Sequence, residues 1–191
     1  MTIAKLVLML VCLMSVTLEP KDAKVTPLLS ESEWTSRMLG RPVIKTFNNI
    51  TSNRILYKGL RKGAKSRIAL PVSGDDGRAK EVVITLLDSL GFDGIDAGSL
   101  LESWRYQPGT PAYCSDPTSI ELSALLVKAD RQKAPKNRDQ AMKLVAKLPP
   151  DYPPQDLVQV ARLSAGLDIL KPKSWFALLR LGFTALRPTR T

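Results

Sequence analysis

The chain has 191 residues, of which 44% are hydrophobic and 24% are charged, and its formal net charge is +10. This length and composition indicate a folded globular protein, either one domain or one domain with an appendage. Because the sequence contains no histidine and only two cysteines, Cys12 and Cys114, it argues against His-based catalytic triads, zinc sites and metal catalysis in general.

Positive charge is concentrated in the C-terminal third of the chain. Residues 122–191 hold thirteen Lys and Arg against five Asp and Glu, so +8 of the total +10 belongs to this segment. Such a surface can meet nucleic acid, phosphates or an anionic membrane, or it can simply be solvated. No nucleic-acid motif accompanies the charge and no aromatic residues alternate with it, so we expect solvated helix faces and no nucleic-acid partner.

The first seventeen residues allow two interpretations. Lys5, an apolar run at residues 6–14 and small polar residues at 15–17 resemble the three parts of a secretory signal, which would export the protein or attach it to a membrane. The run is shorter than the about 20 apolar residues that a membrane span needs. The rival interpretation is a buried parallel strand at residues 5–11, and composition alone does not separate the two.

The next elements are predicted from caps and residue types. Ser30 and Glu33 form a capping box that begins a helix at residues 31–39, which ends at Gly40. The β-branched and aromatic residues at 43–47 predict a short strand with a polar tip. A second helix is expected at residues 52–60.

Residues 67–96 contain the clearest structural unit. The pattern predicts a strand at 67–72, then a helix whose apolar residues at 82–90 recur on one face, then a strand at 92–96. A strand, helix and strand within about 30 residues form a βαβ crossover, which makes the two strands parallel in one sheet. Pro71 places the first strand at or near an edge of that sheet.

Helices follow the sheet elements in the rest of the chain. The breaks at proline predict that these helices lie near residues 100–104, 119–129, 135–147, 155–170 and 174–186. The last of them is apolar nearly all round and has basic flanks. It fits docking against the domain or against a second copy in a homodimer, and, as the alternative, peripheral attachment to a membrane.

Three stretches of sequence resemble a known family. They are SEWTSRMLGRPVIKTFNNI (32–50), RIALPVSGDDGRAKEVVITLLDSLGFDGIDAGSL (67–100) and ESWRYQPGTPAYCSD (102–116). In this order they resemble the later part of the NADPH-dependent deazaflavin coenzyme reductases, dinucleotide-binding NADP oxidoreductases whose fold also occurs in cytosolic domains of metalloreductases. The resemblance extends over about residues 30–140.

The resemblance implies a fold and a division of the chain. The fold class is α/β, with a partial Rossmann-like parallel sheet that corresponds to the second half of the family's domain, followed by an all-helical C-terminal segment. The Rossmann-like domain would occupy residues 30–114 and the helical segment residues 115–191, after an N-terminal apolar segment and linker at residues 1–29.

The resemblance also implies an activity and candidate site residues. Family members transfer hydride between NADPH and a deazaflavin or flavin-like coenzyme, a small-molecule partner. The candidate cofactor-binding residues are Phe47, Asn48 and Asn49, at the tip of the predicted strand, where Phe47 offers a flat face and Asn48 an amide. In the loop SWRYQPGTPAY, Arg105 and Gln107 are the candidate substrate contacts.

Each of these residues also has a structural alternative. Phe47 would be a core residue and Asn48 a turn cap, while the SWRYQPGTPAY loop would be a rigid linker with Arg105 in a surface ion pair. Because hydride transfer between two rings needs chiefly stacking, orientation and exclusion of water, no catalytic residue is predicted.

The chain departs from the family pattern in one feature. No G-x-G-x-x-G occurs in it, although this fingerprint holds the coenzyme pyrophosphate in Rossmann domains. The resemblance therefore implies an N-terminally truncated relative with impaired NADPH binding, and leaves open whether the chain is an active enzyme. It places residues 4–15 where the family has a strand, which favours the strand over the signal and a cytoplasmic location. The alternative function is a non-enzymatic binding or scaffold protein, membrane-associated through its basic C-terminal helices.

Overall fold

The computed structural model describes residues 30–186, and the apolar N-terminal run with its two interpretations lies outside them. The described part has an α/β fold, a partial Rossmann-like parallel sheet followed by helices. In chain order its elements are α1 (Glu31–Leu39), α2 (Ser52–Tyr57), β1 (Ala69–Val72), α3 (Gly77–Ser89), β2 (Asp93–Asp96), a 3-10 helix (Leu100–Tyr106), α4 (Ser119–Lys128), α5 (Ala134–Val145), α6 (Pro154–Ser164) and α7 (Pro172–Leu186).

The predicted βαβ crossover is confirmed. β1 and β2 pair in parallel, with Ala69 opposite Asp93 and Val72 opposite Asp96. The crossover helix α3 begins where the Asp76 carboxylate accepts a hydrogen bond from the backbone N–H of Ala79 at 3.1 Å, which satisfies one of the free donors of the first turn. The capping box that begins α1 is also present.

The two faces of the sheet are covered by different parts of the chain. Leu70 and Val72 belong to a first core with Phe47, Leu87 and Phe92, among others. Ala69 belongs instead to a second core, which also contains Tyr106, Ala112, Leu122, Leu125 and Ala165. Alternate residues of a strand face opposite sides, and a parallel strand covered on both sides is buried throughout, as all four residues of β1 are.

The predicted strand at residues 43–47 is wrong. This segment makes a single antiparallel bridge, in which Lys45 and Ser73 exchange backbone hydrogen bonds of 2.8 and 3.0 Å. The pairing extends no further because Phe47 has a left-handed backbone, with φ of 65°, which turns the chain. Since the segment runs antiparallel to β1, the rule that ligands lie at the carboxyl ends of parallel strands does not apply to the residues after Lys45.

The C-terminal helices are present with adjusted ends. The 3-10 helix replaces the predicted α-helix near residues 100–104, and the helix predicted at 155–170 ends at Ser164, because Gly166 and Asp168 adopt left-handed backbone angles of 80° and 55°. The division of the chain at residue 114 stays a prediction. The second core crosses that position, since residues from both sides of it contribute. None of the helices in the described range has the length and apolar content that crossing a membrane requires.

Candidate functional site

The two segments that carry the predicted site residues lie against each other beside β1. The Tyr106 hydroxyl donates to the Lys45 carbonyl at 3.2 Å, and Asn48 Nδ2 donates to the Tyr106 carbonyl at 3.3 Å. The backbone N–H of Cys114 donates to the Asn49 carbonyl at 2.9 Å. These bonds hold residues 45–51 against the end of the 3-10 helix and the loop that follows it.

Unpaired buried polar atoms are concentrated in these two segments. Among the described residues, nine buried side-chain nitrogen and oxygen atoms lack a hydrogen-bond partner within the protein, and six of them lie here. Each such atom costs about 1–3 kcal/mol, and native proteins contain few. We call the residues that carry them the polar cluster: they are Thr46 and Thr51 (Oγ1), Asn48 (Oδ1), Asn49 (Oδ1 and Nδ2) and Gln107 (Nε2).

Left-handed backbone is concentrated in the same region. Of the four non-glycine residues with positive φ in the described structure, three lie in or beside these segments: Phe47 at 65°, Cys114 at 53° and Asp116 at 44°. For a residue with a side chain this conformation costs roughly 1–2 kcal/mol. Strained residues of this kind tend to occur at ligand-binding sites and switches. The backbone conformation and the polar cluster therefore point to the same region as a candidate binding site.

The three predicted cofactor-binding residues are all buried. The Phe47 side chain is 3% exposed and lies in the first core, so its ring would have to leave that core to stack on a coenzyme. Asn48 is 8% exposed and Asn49 is 1% exposed. Asn48 pairs one amide atom with Tyr106, whereas Asn49 pairs neither. A coenzyme-binding role for these residues stays a prediction.

The two predicted substrate contacts point to different neighbours. Arg105 Nε donates to Glu102 Oε2 at 2.5 Å and Nη1 to the Leu126 carbonyl at 3.4 Å. Its guanidinium also lies 4.8 Å from the ring centroid of Trp104. Gln107, in contrast, belongs to the polar cluster. The structure therefore brings Asn48, Asn49 and Gln107 into one region and directs Arg105 towards α4.

Lys45, which belongs to the same predicted strand tip as the candidate residues, is buried in this region, and its burial was not predicted. Its side chain is 3% exposed, and Nζ donates to the Ser103 carbonyl at 3.3 Å and lies 5.1 Å from the ring centroid of Tyr106. Burial lowers the pKa of the Lys45 ammonium to about 8, against a smaller opposing effect of Glu31. A lysine within a predicted strand is normally solvated, so no local signal indicated its burial.

The lowered pKa of Lys45 predicts a pH-dependent stability. Between about pH 8 and the unfolded value of 10.5 the unfolded state binds more protons at Lys45, so the free energy of unfolding rises with pH in this window. Burial raises the pKa of the Cys114 thiol from 9 to about 12. Above pH 9 the folded state therefore keeps a proton at Cys114 that the unfolded state has lost, and the free energy of unfolding falls as the pH increases. The increase that Lys45 causes in the free energy of unfolding, about 1 kcal/mol, is therefore expected between pH 8 and 9.

Urea unfolding of the wild type and of Lys45→Met at intervals from pH 7 to 9 measures this rise. The difference in unfolding free energy between the two proteins should change with pH, and the variant should be the more stable one at pH 7, because it carries no charge that burial disfavours. If the unfolding free energies of the two proteins changed with pH in parallel, Lys45 would have an ordinary pKa in the folded protein.

Comparisons with known proteins cover part of the chain. No family model matches it. Over 60 residues it is 47% identical to the "Putative protein YjhV" of Escherichia coli (strain K12), a match that covers 31% of this chain and 44% of that protein. A crystal structure of a "putative f420 dependent nadp-reductase" from Arthrobacter sp. FB24 matches with 32% identity and a TM-score of 0.36, over 46% of this chain and 37% of the other. The chain thus spans less than half the length of either relative, and at this TM-score the structural likeness carries no argument about function.

Proposed function

We propose that the polar cluster binds the ring end of a redox coenzyme, and that the chain acts in hydride transfer between NADPH and a deazaflavin or flavin-like coenzyme. The observation that carries the proposal is the Asn49 side chain, which is 1% exposed and pairs neither its donor nor its acceptor within the protein. A nicotinamide carboxamide, like the dione edge of a flavin or deazaflavin, offers a neighbouring donor and acceptor that match such an amide.

Gln107 and Asn48 extend this match. Gln107 contributes a free donor and Asn48 a free acceptor, and the Asn48–Tyr106 hydrogen bond joins the two segments that carry them. The stretches VIKTFNNI and SWRYQPGTPAY, which resemble the deazaflavin coenzyme reductases, contain all three amides. The sequence resemblance and the unpaired amides therefore support the same class of ligand.

A ligand reaches these buried atoms only if the loop after the 3-10 helix shifts. Two features lower the free-energy cost of that shift. Polar atoms that lack partners in the closed arrangement gain them from the ligand, and the left-handed residues Phe47 and Cys114 can relax. The region is thus well suited to opening locally.

The residues fit the ring end of the coenzyme better than its pyrophosphate. The sequence has no G-x-G-x-x-G turn. In Rossmann domains the backbone N–H groups of this turn and the N-terminus of the helix after it hold the pyrophosphate. A bound nicotinamide coenzyme supplies the hydride itself, while the protein orients the ring and excludes water. We therefore expect weak binding of the whole dinucleotide, with a Kd of about 0.1–1 mM.

Titration of the purified chain with NADPH, and separately with FMN, tests the proposal by calorimetry. At least one coenzyme should bind saturably. Asn49→Leu should weaken that binding by tenfold or more, because it removes an amide worth about 1–3 kcal/mol to the complex. The same variant should be as stable as the wild type or more stable, since it removes two unpaired buried polar atoms.

Asn53→Leu is the matched control, because Asn53 is an exposed asparagine in α2. It should bind the coenzymes as the wild type does. If neither coenzyme binds at millimolar concentration, the redox proposal fails, and a non-enzymatic binding protein becomes the better interpretation.

A further inference from the structure

Helix α7 presents apolar side chains on two opposite sides. Ser174, Ala177 and Leu181 are at most 3% exposed and lie on the side that packs on the rest of the chain, with α6 as the main neighbour of α7. The opposite side carries large apolar residues at the spacing of one helical face. They are Phe176, Leu179, Phe183 and Leu186, which are 66%, 57%, 70% and 83% exposed. We call this the outer face of α7.

The segment before α7 extends the outer face. Ile169 and Leu170 are 54% and 95% exposed, and with Pro172, Trp175, Phe176 and Leu179 they line an apolar groove of about 380 Å³. The Trp175 indole N–H donates to the Ile169 carbonyl at 2.8 Å, so the one polar atom of the ring is paired and its apolar body is fixed beside the groove. An apolar patch of this kind on a protein surface usually marks an interaction site.

Basic residues border the outer face along one flank. Lys173 and Arg180 are seven residues apart, as are Phe176 and Phe183, so at 3.6 residues per turn the basic pair runs alongside the aromatic pair. α7 contains no acidic residue. Although Arg180 pairs with Asp156 at 2.9 Å, its side chain remains 60% exposed.

We propose that the outer face of α7 binds the surface of an anionic lipid bilayer. Trp, Phe and Leu on one face with Lys and Arg beside them are the composition of helices that lie in the membrane interface, where long basic side chains reach the headgroups. At 15 residues the helix is about 22 Å long, which suits an orientation along the surface.

Charge favours a membrane over a second copy of the chain. Residues 122–191 carry a net charge of +8, so a homodimer through this face would bring two surfaces of the same sign together. Anionic headgroups would instead be attracted to the basic flank, by about 1 kcal/mol for each Lys or Arg near the surface. The outer face shares no residue with the polar cluster, so this proposal stands independently of the coenzyme proposal.

Co-sedimentation of the full chain with vesicles tests the proposal. Vesicles of phosphatidylcholine with about 30% phosphatidylserine should bind the chain at least tenfold better than phosphatidylcholine alone. The double variant Phe176→Ser/Phe183→Ser should lose about tenfold or more of that binding. The control variant Leu56→Ser/Tyr57→Ser removes side chains that are 71% and 73% exposed on α2, and should bind as the wild type does.

A charge variant keeps the test informative if the double variant folds poorly. Lys173→Glu leaves the apolar face intact and should weaken binding to the anionic vesicles by about tenfold. Three results would overturn the proposal. The first is no binding of the chain to any vesicle, and the second is full binding by Phe176→Ser/Phe183→Ser, which would place the contact elsewhere in the chain. The third is a dimer in sedimentation velocity that this double variant dissociates, which would assign the outer face to a second copy.

Discussion

Replacement of Arg162 by methionine should lower the free energy of unfolding by about 3–5 kcal/mol. The Arg162 side chain is 11% exposed and forms ion pairs with Glu121 and Asp168, each at 2.7 Å. Its Nη1 also donates to the carbonyls of Ser115 and Asp116, both at 3.0 Å. One guanidinium thus joins α6 to α4, to the loop before α4 and to the turn before α7.

The large effect arises from the groups that Arg162 leaves behind. Asp168 has a side chain that is 6% exposed, and the Arg162 guanidinium holds the pKa of its carboxyl well below the usual range. Without that guanidinium the buried Asp168 carboxylate keeps only the half-exposed Lys171, at 2.6 Å, and the two carbonyls lose their donor. The loss of one member of a buried ion pair is far more destabilising than the loss of an exposed pair.

Urea unfolding at pH 7 measures the effect, and Lys133→Met provides the control. Lys133 forms one ion pair, with Asp130 at 2.8 Å, and the two side chains are 76% and 40% exposed, so its removal should cost far less stability than the removal of Arg162. The deficit of Arg162→Met should shrink as the pH falls below 3.8, the unfolded pKa of Asp168, because the wild type then loses the stabilisation from its lowered folded pKa. Equal costs for the two variants would show that the Arg162 network adds nothing beyond an exposed pair.

Gly109→Ala should lower the free energy of unfolding by about 2–5 kcal/mol. Gly109 has a φ of 89°, and an added Cβ would lie 2.0 Å from the carbonyl oxygen of Ala134 and 2.8 Å from the backbone nitrogen of Arg138. Both atoms belong to the backbone of α5, so the contact can be relieved only if the loop and the helix move apart. Separation would also break the hydrogen bond that Asn137 Nδ2 donates to the Gly109 carbonyl.

Thermal unfolding followed by circular dichroism measures this loss. Gly182→Ala is the control, because Gly182 lies within α7 and an added Cβ there meets nothing within 4 Å. That substitution should stabilise the protein by up to about 1 kcal/mol, since alanine favours a helix over glycine. A Gly109→Ala protein as stable as the wild type would mean that the loop does not pack on α5 in solution. Because the same loop carries Gln107, the variant should also weaken the coenzyme binding that we propose.

Several features of the fold were predictable because they depend on neighbouring residues. The capping box of Ser30 and Glu33 and the βαβ unit from β1 to β2 follow from caps, turn residues and helical spacing within short stretches. The pairing of Arg105 with Glu102 is equally local, an i,i+3 ion pair, and it agrees with the surface ion pair that the sequence offered as the alternative to a substrate contact for Arg105.

Other features depended on contacts between distant parts of the chain. Residues 43–47 have strand propensity, but a strand needs a partner, and Lys45 meets only Ser73 before Phe47 turns the chain. The burial of Lys45 results from its contact with residues 58 and 61 positions later, Ser103 and Tyr106. No local pattern encodes such contacts. Strand propensity depends on which neighbours a side chain packs against, and here those neighbours lie far away in the sequence.

Local chemistry in the chain thus determined its helices, its parallel strand pair and the two amide-bearing stretches. Tertiary structure decided how those two stretches meet. It joined them through the Asn48–Tyr106 hydrogen bond, buried the unpaired amide atoms of Asn48, Asn49 and Gln107, placed the Phe47 ring in the core and turned Arg105 towards α4. The reason is physical: hydrogen bonds and burial depend on which atoms meet in space, and the residues that meet here are separated by more than 50 positions in the sequence.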